Sequence, residues 1–376
     1  MSHMIDDIEP RIATILDEKR ARRLTGPYTP KTADEVAAAL HRLLGDEGGT
    51  IANVRRMAGG ASKEQFVFNY DGPRGPETLV LRMDPLEGLI ETCRRREAQL
   101  LRAMHGVVPV PEVRYVDPDG SALGMPGLVT SFISGVAKPP QSASSVSGLR
   151  TDFDEHWVAR LAPQFMDNLL RIHAFDYRAA ALPDFAMPDG GAEQMALRQV
   201  NWWARVWRDD MVDAFPVMAI AEGWMRENLP LCTDPVLVHG DYRTGNYLFD
   251  PVGGDFTAVL DWELAHIGDY HEDLAWNLQP IFASQASDGT TRISGLFRRE
   301  EFLASYEAAS GRVVDLKTLY FYDVFNAWKC GVIDLSSCLT AARDGNNHQD
   351  VLLSWLATSA PIVLDHLTRL LQNPPG

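Results

Sequence analysis

At 376 residues the chain is long for one simple core and suits two lobes. With 45% hydrophobic and 23% charged residues it reads as an ordinary globular protein, and a formal charge of −16 argues against nucleic acid or an anionic membrane as its main partner. No stretch approaches the roughly 18 uninterrupted apolar residues of a membrane helix, and the polar, acidic start Met1-Ser2-His3-Met4-Ile5-Asp6-Asp7 is no secretory signal. Cys93, Cys232, Cys330 and Cys338 lack CxxC spacing and partnered histidines, which points to a reducing, cytoplasmic setting.

In chain order, residues 1–30 read as an N-terminal extension. Thr32-Ala33-Asp34-Glu35 fits a capping box before a helix over Val36–Leu44, ended by Gly45. From Ile51 to Ser134 the pattern is strand-like, with a turn at Asp71-Gly72-Pro73-Arg74-Gly75-Pro76 and one helix over Leu89–His105, closed by Gly106. A Pro/Ser-rich segment, Lys138 to Ser147, follows as an exposed loop near a hinge at 130–140. Helices are expected over Trp157–His173, Ala192–Asp209, Val217–Asn228, Glu300–Ser310 and Leu316–Arg343, with a strand-like island from Val236 to Leu260. A sheet-rich lobe (31–134) followed by a helical lobe (135–376) is α+β by layer logic.

The chemistry-bearing run is Val236-Leu237-Val238-His239-Gly240-Asp241, four further residues, then Asn246-Tyr247-Leu248-Phe249-Asp250. Gly253-Gly254, the strand Phe256–Leu260 and Asp261-Trp262-Glu263 come next. A hairpin about the glycines would set Asn246 opposite Asp261, where an amide oxygen and a carboxylate could grip magnesium. Asp241, in the preceding loop, is placed to accept the proton of a substrate hydroxyl. A His-x-Asp metallohydrolase is the rival; His266 and His271 are present but lack ligand spacing.

Upstream, Gly59, Gly60 and Ser62 form a small-residue turn able to cradle phosphates, and Lys63 could reach one or be a solvated turn lysine. Arg82 lies on the strand Thr78–Pro85. Glu97 falls on the apolar stripe Leu89, Ile90, Cys93, Leu100, Leu101, Met104, so it needs a cation; Arg82 is favoured over Arg94 at i, i+3. Asp269 and Glu272 fit a capping pattern. Tyr322, Asp323, Asn326, Trp328, Trp203 and Trp207 are candidate acceptor-pocket residues.

The order His239-Gly240-Asp241, Gly245-Asn246, Leu260-Asp261-Trp262-Glu263, Gly268-Asp269, Asp273-Leu274-Ala275 resembles the aminoglycoside phosphotransferase/choline kinase-like family. That resemblance implies a two-lobed protein kinase-like fold and ATP- and Mg2+-dependent phosphoryl transfer to a small-molecule hydroxyl. It implies Asp241 as catalytic base, with His239, Arg243 and Asp273 supporting its loop, and Asn246 and Asp261 as metal ligands. Gly59, Gly60, Ser62, Arg82, Glu97 and the lobe-joining segment with Ser131 and Ile133 would hold the nucleotide. Arg82 departs from the usual kinase lysine and resembles a subgroup that includes kinase-like modules joined to acyl-CoA dehydrogenases, tilting the acceptor toward a metabolic hydroxyl compound. A nucleotide-binding pseudokinase is the alternative.

Overall fold

The computed structural model describes residues 7–45, 48–57, 62–139, 151–286 and 288–374. Helices α1 (Pro10–Arg23) and α2 (Ala33–Leu44) precede strands β1 (Thr50–Arg56), β2 (Glu64–Gly72) and β3 (Gly75–Met83). Helix α3 (Arg94–Met104) and strands β4 (Val113–Asp117) and β5 (Gly127–Ser131) complete an antiparallel sheet in the order β1-β2-β3-β5-β4. The capping box on α2 forms as expected: the Glu35 amide donates to the Thr32 hydroxyl, and the Thr32 amide to the Glu35 carboxylate. Val36, Ala39, Leu40 and Leu44 of α2 seal a small core with Phe66, Phe68, Leu79, Leu81 and Met83. Strand side chains alternate, so Arg82, between Leu81 and Met83, leaves that core and meets α3 on the other face.

The helix expected from Leu89 begins only at Arg94. The preceding segment is held in a different shape. Glu91 accepts the Gly88 amide at 2.8 Å, the Glu87 amide bonds the Asn346 carbonyl at 3.0 Å, and Asn347 bonds the Glu87 carbonyl at 2.7 Å. These bonds compete with the first helical turn.

After β5, Val136 exchanges backbone bonds of 2.9 and 3.0 Å with Phe249, tying the connection onto the second lobe. Most of the Pro/Ser-rich segment lies outside the described residues. The second lobe contains α4 (Glu155–His173), α5 (Gln194–Asp210), α6 (Pro216–Glu227), β6 (Val236–Val238), β7 (Tyr247–Phe249), β8 (Phe256–Val259), β9 (His266–Gly268) and α7 (His271–Asn277). Helices α8 (Arg299–Ser310) and α9 (Leu316–Val332) follow. The single helix expected to Arg343 is broken by a π-helical stretch, Ile333–Cys338, before α10 (Leu339–Asp344). Helices α11 (Asp350–Leu356) and α12 (Ala360–Gln372) were not anticipated. By length and composition alone, Asp350–Gln372 could cross a membrane, but Ala360, Val363 and Leu367 of α12 are buried within the protein.

The N-terminal extension is a built part of the fold. Lys19 of α1 is 4% exposed and lies 2.6 Å from Asp210 of α5 and 3.8 Å from both Glu87 and Glu91. Arg23 bridges Glu87 and Asp210, and Arg22 holds Glu91. Buried charges persist only when paired, and here three cations meet three carboxylates drawn from both lobes. Helix α1 therefore straps one lobe to the other.

Candidate active site

The loop carrying Asp241 leaves β6 through Gly240, whose φ of +80° only glycine adopts freely; a Cβ there would stand 2.8 Å from the Leu264 carbonyl oxygen. Helix α7 grips this loop along one face. Asp273 accepts the amides of His239 and Gly240, each at 2.8 Å. Asn277 donates to the Tyr242 carbonyl at 2.8 Å, and the Trp276 indole donates to Asp241 Oδ1 at 2.8 Å. Positions i, i+3 and i+4 share a helix face, so three successive grips come from one short element. Burial would raise the Asp273 carboxyl, but the His173 hydrogen bond at 3.1 Å, with the His239 amide, outweighs it and lowers its pKa.

His239 is fully buried, and burial lowers its pKa, so the ring is neutral. Its Nε2 bonds the Leu260 carbonyl at 3.0 Å and its Nδ1 accepts the Asp241 amide at 3.3 Å, partners that require the proton on Nε2. It braces the loop against the strand that leads to Asp261.

Asp241 Oδ1 also accepts from Arg243 Nε at 2.8 Å, while Asn246 Nδ2 donates to Asp241 Oδ2 at 2.6 Å. The Arg243 guanidinium lies 4.8 Å from the Phe282 ring centre. The β7–β8 hairpin forms, but its register differs from expectation by one residue. Tyr247 faces Val259, and the Leu260 amide bonds the Asn246 carbonyl at 2.7 Å, so Leu260 rather than Asp261 stands opposite Asn246. The chain then turns at Asp261, which takes the left-handed conformation (φ 58°, ψ 53°) that aspartate tolerates better than most residues. The turn swings its carboxylate to Arg82 Nη2, at 2.6 Å.

Arg82 bridges two carboxylates, with Nη1 2.5 Å from Glu97 Oε1. Both partners weighed for Glu97 are present, because Arg94 also binds it. Burial would lower the Arg82 pKa, yet Glu97, Asp261 and Glu263 raise it, so the guanidinium stays charged. Lys63 is neither solvated nor free for phosphate: it is 1% exposed, 3.3 Å from Asp84 and 3.7 Å from Glu263. Glu263 also accepts from Ser62 Oγ at 2.9 Å and from Arg94 at 3.3 Å. Burial alone would raise the Glu263 carboxyl; Lys63, Arg94 and Arg82 hold it at about 2. Three cations, Lys63, Arg82 and Arg94, thus face four carboxylates, Asp84, Glu97, Asp261 and Glu263.

Gly59 and Gly60 lie outside the described residues. In the lobe-joining segment the Ser131 amide already donates to the Glu112 carbonyl at 2.9 Å, whereas the Ile133 backbone makes no hydrogen bond among the described residues. The acceptor-pocket candidates fall mostly in the core. Tyr322, Asn326, Trp328 and Trp203 are at most 1% exposed, and Trp207 is 7% exposed. Asp323 is buried near Arg299 at 3.5 Å. Glu272 does not cap: it meets His266 at 3.2 Å and Lys329 at 3.4 Å, while Asp269 accepts the His271 amide and ring. With His266 and His271 so engaged, neither joins Asp241. Sequence reasoning missed Trp276, Asn277 and Lys329 as loop contacts; the Asp273, Trp276, Asn277 spacing was the available signal.

The sequence profile described as "Phosphotransferase enzyme family" matches residues 53–315. Mouse acyl-CoA dehydrogenase family member 10 is 28% identical over 267 residues, 68% of this chain and 24% of that protein. The chain spans only 24% to 36% of the curated relatives it matches. Among solved structures, a Ralstonia eutropha protein assigned to the aminoglycoside phosphotransferases superposes with a TM-score of 0.63 at 20% identity, covering 89% of this chain and 97% of that one. A thermostable mutant of aminoglycoside phosphotransferase APH(4)-Ia, in ternary complex with AMP-PNP and hygromycin B, gives 0.56 at 16% identity, covering 87% and 98%. These likenesses give the two-lobed fold, a small antiparallel-sheet lobe on a larger helical one. On the match across residues 53–315, this chain belongs to the phosphotransferase enzyme family.

Proposed function

We propose that the protein transfers the γ-phosphate of ATP to a hydroxyl of a small molecule, with Asp241 as the base. The observation that carries this reading is the Asp241 carboxylate bonded at 2.6 Å to Asn246, with Asp261 one residue beyond the backbone bond that joins Asn246 to Leu260. The donor set suits magnesium. Asn246 turns its N–H groups to Asp241, so its Oδ1 accepts no hydrogen bond among the described residues, and Asp261 keeps Oδ2 free of Arg82. Two hard oxygens in a cluster with one surplus carboxylate are what a divalent ion prefers. Bound there by Asn246 and Asp261, the ion would neutralise charge on the phosphates.

The acceptor hydroxyl gives its proton to Asp241 as its oxygen forms the new bond to the γ-phosphorus. The bond from that phosphorus to the β–γ bridging oxygen breaks, and ADP leaves. Arg82, held by Glu97, faces the transferring phosphates, and Ile133 offers the backbone groups that would meet the base. The relatives named as acyl-CoA dehydrogenases favour a metabolic hydroxyl compound over an antibiotic as acceptor.

A screen of hydroxyl-bearing metabolites and aminoglycosides for acceptor-dependent ADP release tests the reading. Asp241→Ala should lower turnover by about a thousandfold or more while keeping nucleotide affinity, and Asp261→Ala should weaken magnesium-dependent nucleotide binding. The second reading, a nucleotide-binding module without turnover, is favoured by the Arg82 grip on Asp261. ATP hydrolysis that Asp241→Asn abolishes would exclude it; binding without any turnover would establish it.

A further inference from the structure

Trp276 has a role that packing does not require. Its ring is 4% exposed and rests 5.0 Å from that of Phe282, which would satisfy a core residue. A core tryptophan needs only some acceptor for its indole N–H, usually a backbone carbonyl. Here the N–H reaches the Asp241 carboxylate, 35 residues earlier in the chain. The ring itself is held from its face. Lys329 of α9, 1% exposed, places Nζ 4.2 Å from the centre of a Trp276 ring, 3.2 Å from the Gly240 carbonyl and 3.4 Å from Glu272. A desolvated ammonium over an indole is a strong cation–π contact, and the same nitrogen fixes the peptide before Asp241.

Counting lone pairs on the carboxylate gives the consequence. Each oxygen accepts about two hydrogen bonds. Oδ1 receives Arg243 Nε and Trp276 Nε1, both at 2.8 Å, and is full; Oδ2 receives Asn246 Nδ2 and keeps one position open. We propose that Trp276, clamped by Lys329, is a positioning residue that closes Oδ1 of Asp241 and so makes Oδ2 the oxygen that takes the acceptor's proton. This rests on Asp241 being the base. Without the indole, Arg243 and Asn246 each hold one oxygen and each oxygen keeps one open position, so either could take the proton; the indole, anchored on α7, closes the position on Oδ1.

Two measurements decide it. Trp276→Phe keeps an aromatic ring beside Phe282 and under Lys329 but has no N–H. Its kcat for Mg-ATP hydrolysis, and for any acceptor found in the screen, should fall on the order of ten- to a hundredfold with KM for Mg-ATP within about twofold. The second measurement needs no activity: in an indole 15N–1H spectrum of the intact chain, which has nine tryptophans, one crosspeak should shift upfield on Asp241→Asn and be the one missing from Trp276→Phe. Should the phenylalanine variant not fold, the single shifted crosspeak in Asp241→Asn still reports the bond. Turnover of Trp276→Phe within twofold of the parent, or no indole shift on Asp241→Asn, overturns the proposal. A parent protein with no turnover at all would refute phosphoryl transfer, while the spectrum would still decide whether Trp276 holds Asp241.

Discussion

Asp334 offers a test in which protonation, hydrogen bonding and stability must agree. It lies in the π-helical stretch after α9, is 8% exposed, and burial pushes its carboxyl up to about 7, only partly offset by Ser359. The local bonds fit the neutral acid. Ser359 Oγ stands 2.5 Å from Asp334 Oδ2 and 2.8 Å from the Leu356 carbonyl, yet has one proton. If Asp334 is protonated it donates to Ser359, which donates to Leu356; if it ionises, the hydroxyl must turn to the carboxylate and the carbonyl loses its donor. The folded value lies above the unfolded one, near 3.8, so the stabilisation is complete below pH 3.8 and is lost as pH rises through about 7. About three pH units of displacement correspond to roughly 4 kcal/mol. Asp334→Asn keeps an N–H donor for Ser359 and cannot ionise. Urea unfolding from pH 5 to pH 8.5 should show the variant gaining on the parent as pH rises, by roughly 3 kcal/mol, because about two of the three pH units lie above pH 5. A stability difference that stays constant over that range would refute the reasoning.

Lys19→Met should cost about 3 kcal/mol, because Asp210, Glu87 and Glu91 lose their buried lysine and keep only Arg22 and Arg23; a denaturation midpoint unchanged from the parent would count against α1 as a strap. Gly240→Ala should disable turnover far more than it lowers melting temperature, since the added Cβ meets Leu264 and forces φ away from +80° beside Asp241. Parent-like activity in that variant would show that the loop has slack.

The α2 capping box, the strand–turn–strand carrying Arg82 and the hairpin carrying Asn246 were legible because each depends on residues within about twenty positions of one another. The same holds for the pairing of Glu97, where a carboxylate on an apolar helix stripe demanded a cation and Arg82 supplied it. Other features depended on partners far away in the chain. Lys63 is a turn lysine by its neighbours, yet it is buried because Asp84 and Glu263 converge on it from two lobes. The start of α3 was displaced by bonds to Asn346 and Asn347, some 260 residues on. The hairpin register missed by one because the turn is centred just before the two glycines, with the Asp250 amide on the Asp255 carbonyl, and a bulge between Leu248 and Phe249 shifts the pairing. Local sequence thus determined which groups could do the chemistry and on which elements they ride. Tertiary packing decided where each charge points, because an ion or an indole N–H removed from water must take whatever partner the fold brings within about 3 Å.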